Sequence, residues 1–198
     1  RFGNALGAES FENCTRCPIG KFSGLNDIRA TSCKECPSGK YTKVEGTVAC
    51  LDVPAGAYST HCLNGNEGCT NTTACPKGSF CVSKSTQPSP CLEGTYASDD
   101  GSPACIPCVA GRFASGQGSN VCQLCPKGKF SALPQEDSCD PCLPGTYASS
   151  EGQSLCSDIP AGSYSINVTN QSCTNGCTNT KLCPKGSFCV SKSTQPSP

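Results

Sequence analysis

The chain has 198 residues with neither Trp nor Met, and its 21 Cys exceed the ~8–10% that marks a disulfide scaffold. Leu, Ile, Val and Phe are too sparse to supply the apolar mass of one large core. Fifteen basic side chains balance fifteen acidic ones, which excludes a charged disordered tail and leaves no basic excess for nucleic acid or anionic lipid.

Along the chain one pattern keeps returning. Gly-x-[Phe/Tyr] occurs ten times, and in eight cases a Cys opens it five residues before the aromatic: Cys17 to Phe22, Cys36 to Tyr41, Cys75 to Phe80, Cys91 to Tyr96, Cys108 to Phe113, Cys125 to Phe130, Cys142 to Tyr147 and Cys183 to Phe188. A fixed period with a fixed cysteine phase is the mark of a linear array of small modules. The predicted modules are 1–16, 17–35, 36–52, 53–74 and 75–90, then 91–107, 108–124, 125–141, 142–158, 159–182 and 183–198. Residues 75–90, CPKGSFCVSKSTQPSP, recur unchanged at 183–198. Residues 91–198 therefore read as a complete repeat unit and residues 1–90 as an incomplete one, as expected of a piece cut from a longer protein.

Within a module, Pro-x-Gly after the opening Cys favours a tight turn. The aromatic and the Ser, Ala or Thr after it suit a short extended stretch. A second turn rich in Gly, Ser and Asn follows, as in residues 115–120, and the chain returns to the next Cys. Helical periodicity is absent. The expected fold class is small, disulfide-rich and all-β or irregular: an elongated tandem array of disulfide-closed hairpins without a large core. Residues 83–90 and 191–198 are rich in Ser, Thr and Pro and are expected to run extended, partly as polyproline II. They are read either as plain spacers or as O-glycosylation acceptors at Ser83, Ser85, Thr86, Ser89, Ser191, Ser193, Thr194 and Ser197.

Five Cys-x-x-Cys pairs stand at 14/17, 33/36, 105/108, 122/125 and 139/142. If the first Cys of each pair closes one module and the second opens the next, the disulfides are Cys17–Cys33, Cys36–Cys50, Cys91–Cys105, Cys108–Cys122, Cys125–Cys139 and Cys142–Cys156. All these loops share one length except Cys17–Cys33, which is slightly longer. At the fifth module of each unit an apolar residue, Val53 or Ile159, stands where the opening thiol would be. Cys62, Cys69, Cys75 and Cys81 then remain as one cluster, and Cys173, Cys177, Cys183 and Cys189 as another. Three pairings are open within each. Cys14 is left over, its partner expected in a missing stretch. A single hairpin is too poor in apolar surface to offset its ordering entropy, so staples and neighbours must supply the rest. The aromatic is expected to pack on the disulfide of its own or the adjacent module.

Zinc is the main competing reading, because Cys14-x-x-Cys17 and Cys33-x-x-Cys36 fit a zinc-ribbon spacing. Five pairs do not divide into tetrads, and His61 is the sole histidine, so no metal and no cofactor are expected. Hydrolase chemistry lacks a repeated His, and carboxylate pairs such as Asp99-Asp100 and Glu136-Asp137 fall in predicted turns. No calcium loop of the EF-hand type is present. The chain is read as non-enzymatic. No stretch approaches ~18 apolar residues, so no membrane span is predicted in it. Four sequons, at Asn13, Asn71, Asn167 and Asn170, accompany the cysteines and point to a secretory, oxidising address with N-linked glycans.

The run Cys-[Pro/Leu/Val]-x-Gly-x-[Phe/Tyr]-[Ser/Ala/Thr] followed by Cys-x-x-Cys resembles the ephrin-receptor-like cysteine-rich repeat, related in pattern to the first half of tumour necrosis factor receptor modules. Gly-Ser-Phe-Cys81 with the later Ser-Pro-Cys91-Leu-Glu-Gly-Thr-Tyr96 is similar to long arrays in surface and fibre proteins of protists and algae. The resemblance covers nearly the whole chain. It implies an elongated extracellular rod of disulfide-closed hairpins with no catalytic residues. Val53 and Ile159 depart from the simple pattern, so the fifth and sixth modules are expected to bend or broaden the rod. The functional expectation is a structural repeat segment of a long secreted glycoprotein building an extracellular filament, surface coat or flagellar hair, with copies of itself or other surface proteins as partners. The alternative is the stalk or ligand-binding ectodomain of a surface receptor or adhesin.

Overall fold

A computed structural model describes residues 2–3, 14–24 and 32–198. No helix occurs among the described residues. Every strand pairs antiparallel with its neighbour in sequence, giving two-stranded hairpins. In chain order these are β1 (Phe2–Gly3) with β2 (Cys14–Thr15), β3 (Lys21–Phe22) with β4 (Lys34–Glu35), and β5 (Lys40–Tyr41) with β6 (Leu51–Asp52). Then come β7 (Ala57–Thr60) with β8 (Asn71–Ala74), and β9 (Ser79–Phe80) with β10 (Ser89–Pro90). The next are β11 (Thr95–Tyr96) with β12 (Ile106–Pro107), β13 (Arg112–Phe113) with β14 (Gln123–Leu124), and β15 (Lys129–Phe130) with β16 (Asp140–Pro141). The last are β17 (Thr146–Tyr147) with β18 (Ser157–Asp158), and β19 (Ser163–Ile166) with β20 (Asn179–Leu182). The fold is disulfide-rich, all-β and modular.

Each hairpin begins with the turn that its sequence demands. Lys21 donates its N–H to the Pro18 carbonyl at 3.1 Å and Lys129 to Pro126 at 3.0 Å, with Gly20 and Gly128 at φ +79°. That is a type II turn, in which the third residue takes the left-handed region that glycine enters without cost. The β7–β8 and β19–β20 hairpins have four-residue strands where the others have two, so modules 53–74 and 159–182 are the broader ones.

The chain divides into two compact units. The first is Arg1–Pro90 with Ser98–Ala104, and the second is Cys91–Ala97 with Cys105–Pro198. The turn 98–104 groups with the residues before it because its main chain bonds to them: Gly101 donates to the Cys75 carbonyl and Cys81 donates to the Ser102 carbonyl.

In both units the interior is made of sulfur and small side chains. The openers Cys17, Cys36, Cys75, Cys91, Cys108, Cys125 and Cys142 are fully buried. So are Val53 and Ile159, which take the same place without a thiol. Six residues after each opener lies a second buried position, occupied by Ser23, Thr42, Ser59, Ala97, Ala114, Ser131, Ala148 or Ser165. Only a small side chain fits there beside the disulfide. Tyr96 packs against Cys108, Ala114 and Cys122, so this ring covers the disulfide of the module after its own. Tyr164 likewise packs with Cys183 and Cys189.

The Ser/Thr/Pro-rich segments are not extended spacers. Ser85 donates its N–H to the Val82 carbonyl at 3.2 Å across a turn whose Lys84 has φ +67°. Ser89 then pairs with Phe80, and Ser197 with Phe188. The polyproline expectation fails because each segment is tied at both ends, by a disulfide behind it and a strand partner ahead.

Candidate functional site

The cysteines meet as follows. Disulfides join Cys17 to Cys33, Cys36 to Cys50, Cys91 to Cys105, Cys108 to Cys122, Cys125 to Cys139 and Cys142 to Cys156. In the clusters, Cys62 pairs with Cys69 and Cys75 with Cys81, while Cys173 pairs with Cys177 and Cys183 with Cys189. Cys81 and Cys189 occupy the small buried position six residues after the opener, where other modules carry Ser, Thr or Ala. A thiol there reaches the opener directly, which dictates the pairing in both clusters. That alignment was visible in sequence, but its proximity to the opener was not. Asn13 and the Cys14 side chain lie outside the described residues.

The recurring functional geometry is the joint between successive modules. In the first unit Gly46, Gly68, Lys84 and Gly101 donate their N–H groups to the carbonyls of Cys17, Cys36, Val53 and Cys75 at 2.7–2.8 Å. In the second, Gly118, Gln135, Gly152, Gly176 and Lys192 donate to Cys91, Cys108, Cys125, Cys142 and Ile159 at 2.7–2.9 Å. All nine donors have φ between +64° and +81°. Each of these cysteine openers thus carries two links: its side chain binds within the module, and its carbonyl receives the turn of the next. Val53 and Ile159 lose the first link and keep the second.

Lys84, Gln135 and Lys192 hold this left-handed conformation without being glycine, at a cost of about 1–2 kcal/mol each. The two lysine side chains lie beside carboxylates on the surface. Lys84 Nζ lies 3.6 Å from Asp52 Oδ2, and Lys192 Nζ lies 3.2 Å from Asp158 Oδ1. Lys40 completes the first cluster at 2.6 Å from Asp52 Oδ1. The Lys40 ammonium, as hydrogen-bond partner, holds the Asp52 carboxyl below its usual range, with Lys84 adding to it. Glu35 is held low chiefly by the Asn64 amide, which donates to both carboxylate oxygens at 2.9 and 2.8 Å, and then by Lys21 at 3.3 Å.

His61 sits at φ +55° with Nδ1 3.3 Å from Thr60 Oγ1 on the surface. Asp99 pairs with the Ser98 hydroxyl, Asp100 accepts the Lys77 N–H, and Asp137 pairs with the Ser138 hydroxyl. Among the described residues no three His, Cys, Asp or Glu gather as metal ligands, and no helix is long and apolar enough to cross a membrane. An open apolar cleft of about 200 Å³ lies among Tyr96, Ile106, Val109 and Val121, with the Arg112 guanidinium at its edge donating to the Cys122 carbonyl.

The sugar-acceptor candidates are placed unevenly. Asn71 is half-buried in β8, with Oδ1 accepting the Thr72 N–H. Asn167 Oδ1 accepts from the main chain of Thr169 and Gln171 and from the Thr169 hydroxyl. Asn170 is exposed at φ +61°. Ser83 and Ser191 donate to the Val53 and Ile159 carbonyls, and Ser85 and Ser193 to the Val82 and Val190 carbonyls. Thr86 and Thr194 are half-buried in the same turns, Ser89 lies in β10, and Ser197 makes a single antiparallel bridge to Phe188.

Hairpins closed by tandem disulfides and joined through the openers define a cysteine-rich repeat array. Residues 3–50 match the family model for the tyrosine-protein kinase ephrin type A/B receptor-like domain. This stretch is similar to that cysteine-rich domain, and the tandem disulfide pairs downstream fit a cysteine-rich repeat array. Segments of this kind, with so many disulfides, point to an extracellular domain. No curated protein matches the chain.

Proposed function

We propose that this chain is a structural segment of a secreted glycoprotein that self-associates into an extracellular filament, surface coat or flagellar hair, and that it has no catalytic role. The observation that carries this reading is the opener carbonyl bonded to the following turn at nine successive joints, including the two where the thiol is lost. A joint that persists when its disulfide does not is one under demand for continuity. The verbatim return of CPKGSFCVSKSTQPSP at 183–198 supports the same reading, because a fibre with equivalent contacts at each axial step needs whole units copied. Electron microscopy of the purified protein at rising concentration tests it. Filaments or ordered lateral arrays are expected, and dispersed monomers at every concentration under native ionic conditions would overturn it.

A second reading, the stalk or ligand-binding ectodomain of a receptor or adhesin, is favoured by the match of residues 3–50 to a receptor-type domain. It requires a non-repeating ligand-binding region on the same polypeptide, which the full-length coding sequence tests directly.

A further inference from the structure

Three Asx-Gly dipeptides occur in the chain: Asn64-Gly65, Asp100-Gly101 and Asn175-Gly176. A glycine in second place lets its main-chain nitrogen approach the carbonyl carbon of the preceding side chain, because no Cβ obstructs it. In two of the three the fold engages that nitrogen. Gly101 donates its N–H to the Cys75 carbonyl at 2.7 Å, and Gly176 donates to the Cys142 carbonyl at 2.9 Å. The Gly65 N–H makes no hydrogen bond among the described residues, and a Cβ placed on Gly65 would meet nothing within 4 Å. Asn64 and Asn175 are both exposed, so engagement of the glycine, not solvent access, separates them.

Asn64 is also a clasp. Its Nδ2 donates to Glu35 Oε1 at 2.9 Å and to Oε2 at 2.8 Å, tying module 53–74 to module 17–35. Lys21 Nζ reaches the same carboxylate at 3.3 Å. Main-chain bonds between Asn64 and Glu67, at 3.2 and 2.8 Å, hold the turn around Gly65. The nitrogen that binds Glu35 is the one that deamidation removes.

We propose that Asn64 is a self-modification site, at which the Gly65 nitrogen displaces ammonia from the side chain and the clasp to Glu35 is lost. The Gly65 N–H gives its proton to solvent, and its nitrogen forms a bond to Asn64 Cγ. The Cγ–Nδ2 bond breaks, and the nitrogen takes a proton from water and leaves as ammonia. Water then opens the cyclic imide at either carbonyl, giving aspartate or isoaspartate. Nothing is oxidised or reduced, and water is the sole co-reactant. Two amide hydrogens facing the Glu35 carboxylate are thereby replaced by a second carboxylate, and like charges so close repel. The isoaspartate route also lengthens the main chain inside the Asn64–Glu67 turn. This chemistry belongs to the single chain and goes beyond the assembly proposed above.

The test is peptide mapping by mass spectrometry of the folded, oxidised chain held at mildly alkaline pH, with Asn175 as internal control. Asn64 should convert about tenfold or more faster than Asn175, whose glycine must first break its bond to Cys142. In the reduced, denatured chain the two should convert at similar rates, because only the shared dipeptide then acts. Equal rates in the folded chain, or a faster Asn175, would overturn the proposal. Gly65→Ala should slow conversion of Asn64 and leave Asn175 unchanged. An unslowed Asn64 in that variant would mean direct hydrolysis by water and so also overturn it. If the variant does not fold, the ratio of Asn64 to Asn175 in the native chain decides. Carboxyl NMR of the aged chain reads the clasp: the Glu35 midpoint should rise as Asn64 converts, and an unmoved midpoint would overturn the loss of the clasp. Microscopy of filaments is scored separately, so neither result bears on the other.

Discussion

The Cα of Gly111 backs onto the carbonyl of Gly152 so closely that a Cβ on Gly111 would overlap that oxygen. The two residues belong to modules two apart, 108–124 and 142–158. The Gly152 N–H meanwhile caps the Cys125 carbonyl in the module between. One turn therefore bonds one module and packs against the one before it, so the coupling reaches past nearest neighbours.

Gly111→Ala should destabilise the second unit by about 2–5 kcal/mol, combining the left-handed penalty of φ +81° with overpacking against Gly152. Gly116→Ala is the control: nothing lies within 4 Å of its Cβ position, and it should be near neutral or slightly stabilising. Denaturant unfolding of both variants measures the contrast.

Ile159 fills an opener's place with apolar volume alone and is fully buried. Ile159→Ala should cost about 2–5 kcal/mol and Ile159→Val about 0.5–1.5 kcal/mol. Thermal melts give the order. An equal and small effect from both would show that the site collapses around any side chain.

Non-reducing peptide mapping should find Cys62–Cys69, Cys75–Cys81, Cys173–Cys177 and Cys183–Cys189. Replacing Cys142 and Cys156 together by Ser should lower stability by about 2–4 kcal/mol, read by denaturant titration under oxidising conditions. Treatment with a chelator should change neither result.

Glu35 and Asp52 have folded-state pKa values lowered by their partners. Their stabilising contribution is therefore present above the ordinary carboxylate range and is lost as pH falls through the lowered values. Carboxyl titration by NMR should place both midpoints below those of ordinary Glu and Asp. Asn64→Ala should move Glu35 back up and leave Asp52 in place. Both groups are on the surface, so high salt should weaken the Lys-dependent part.

Glycopeptide mass spectrometry should find sugar at Asn170, the exposed sequon asparagine among the described residues. All four sequon asparagines bare in secreted material would remove the glycoprotein part of the proposal.

Much of this protein is written locally. A Cys with Gly three residues on makes the type II turn, and the regular spacing from Cys91 to Cys105 or Cys125 to Cys139 sets which thiols are near, because short loops restrict the partners a chain reaches. Ring placement was legible only to within a choice of neighbours: Tyr96 lies on the next module's disulfide, a matter of how hairpins stack. The pairing of Cys75 with Cys81 needed knowledge of which position abuts the opener. Residues 83–90 misled, because their Ser and Pro content describes an unconstrained chain, and a disulfide and a strand partner had already constrained this one. Composition and spacing decide short-range geometry, where few conformations compete. Tertiary packing decides the joints, because the Cys125 carbonyl and the Gly152 amide are distant in sequence and meet only after both hairpins have closed.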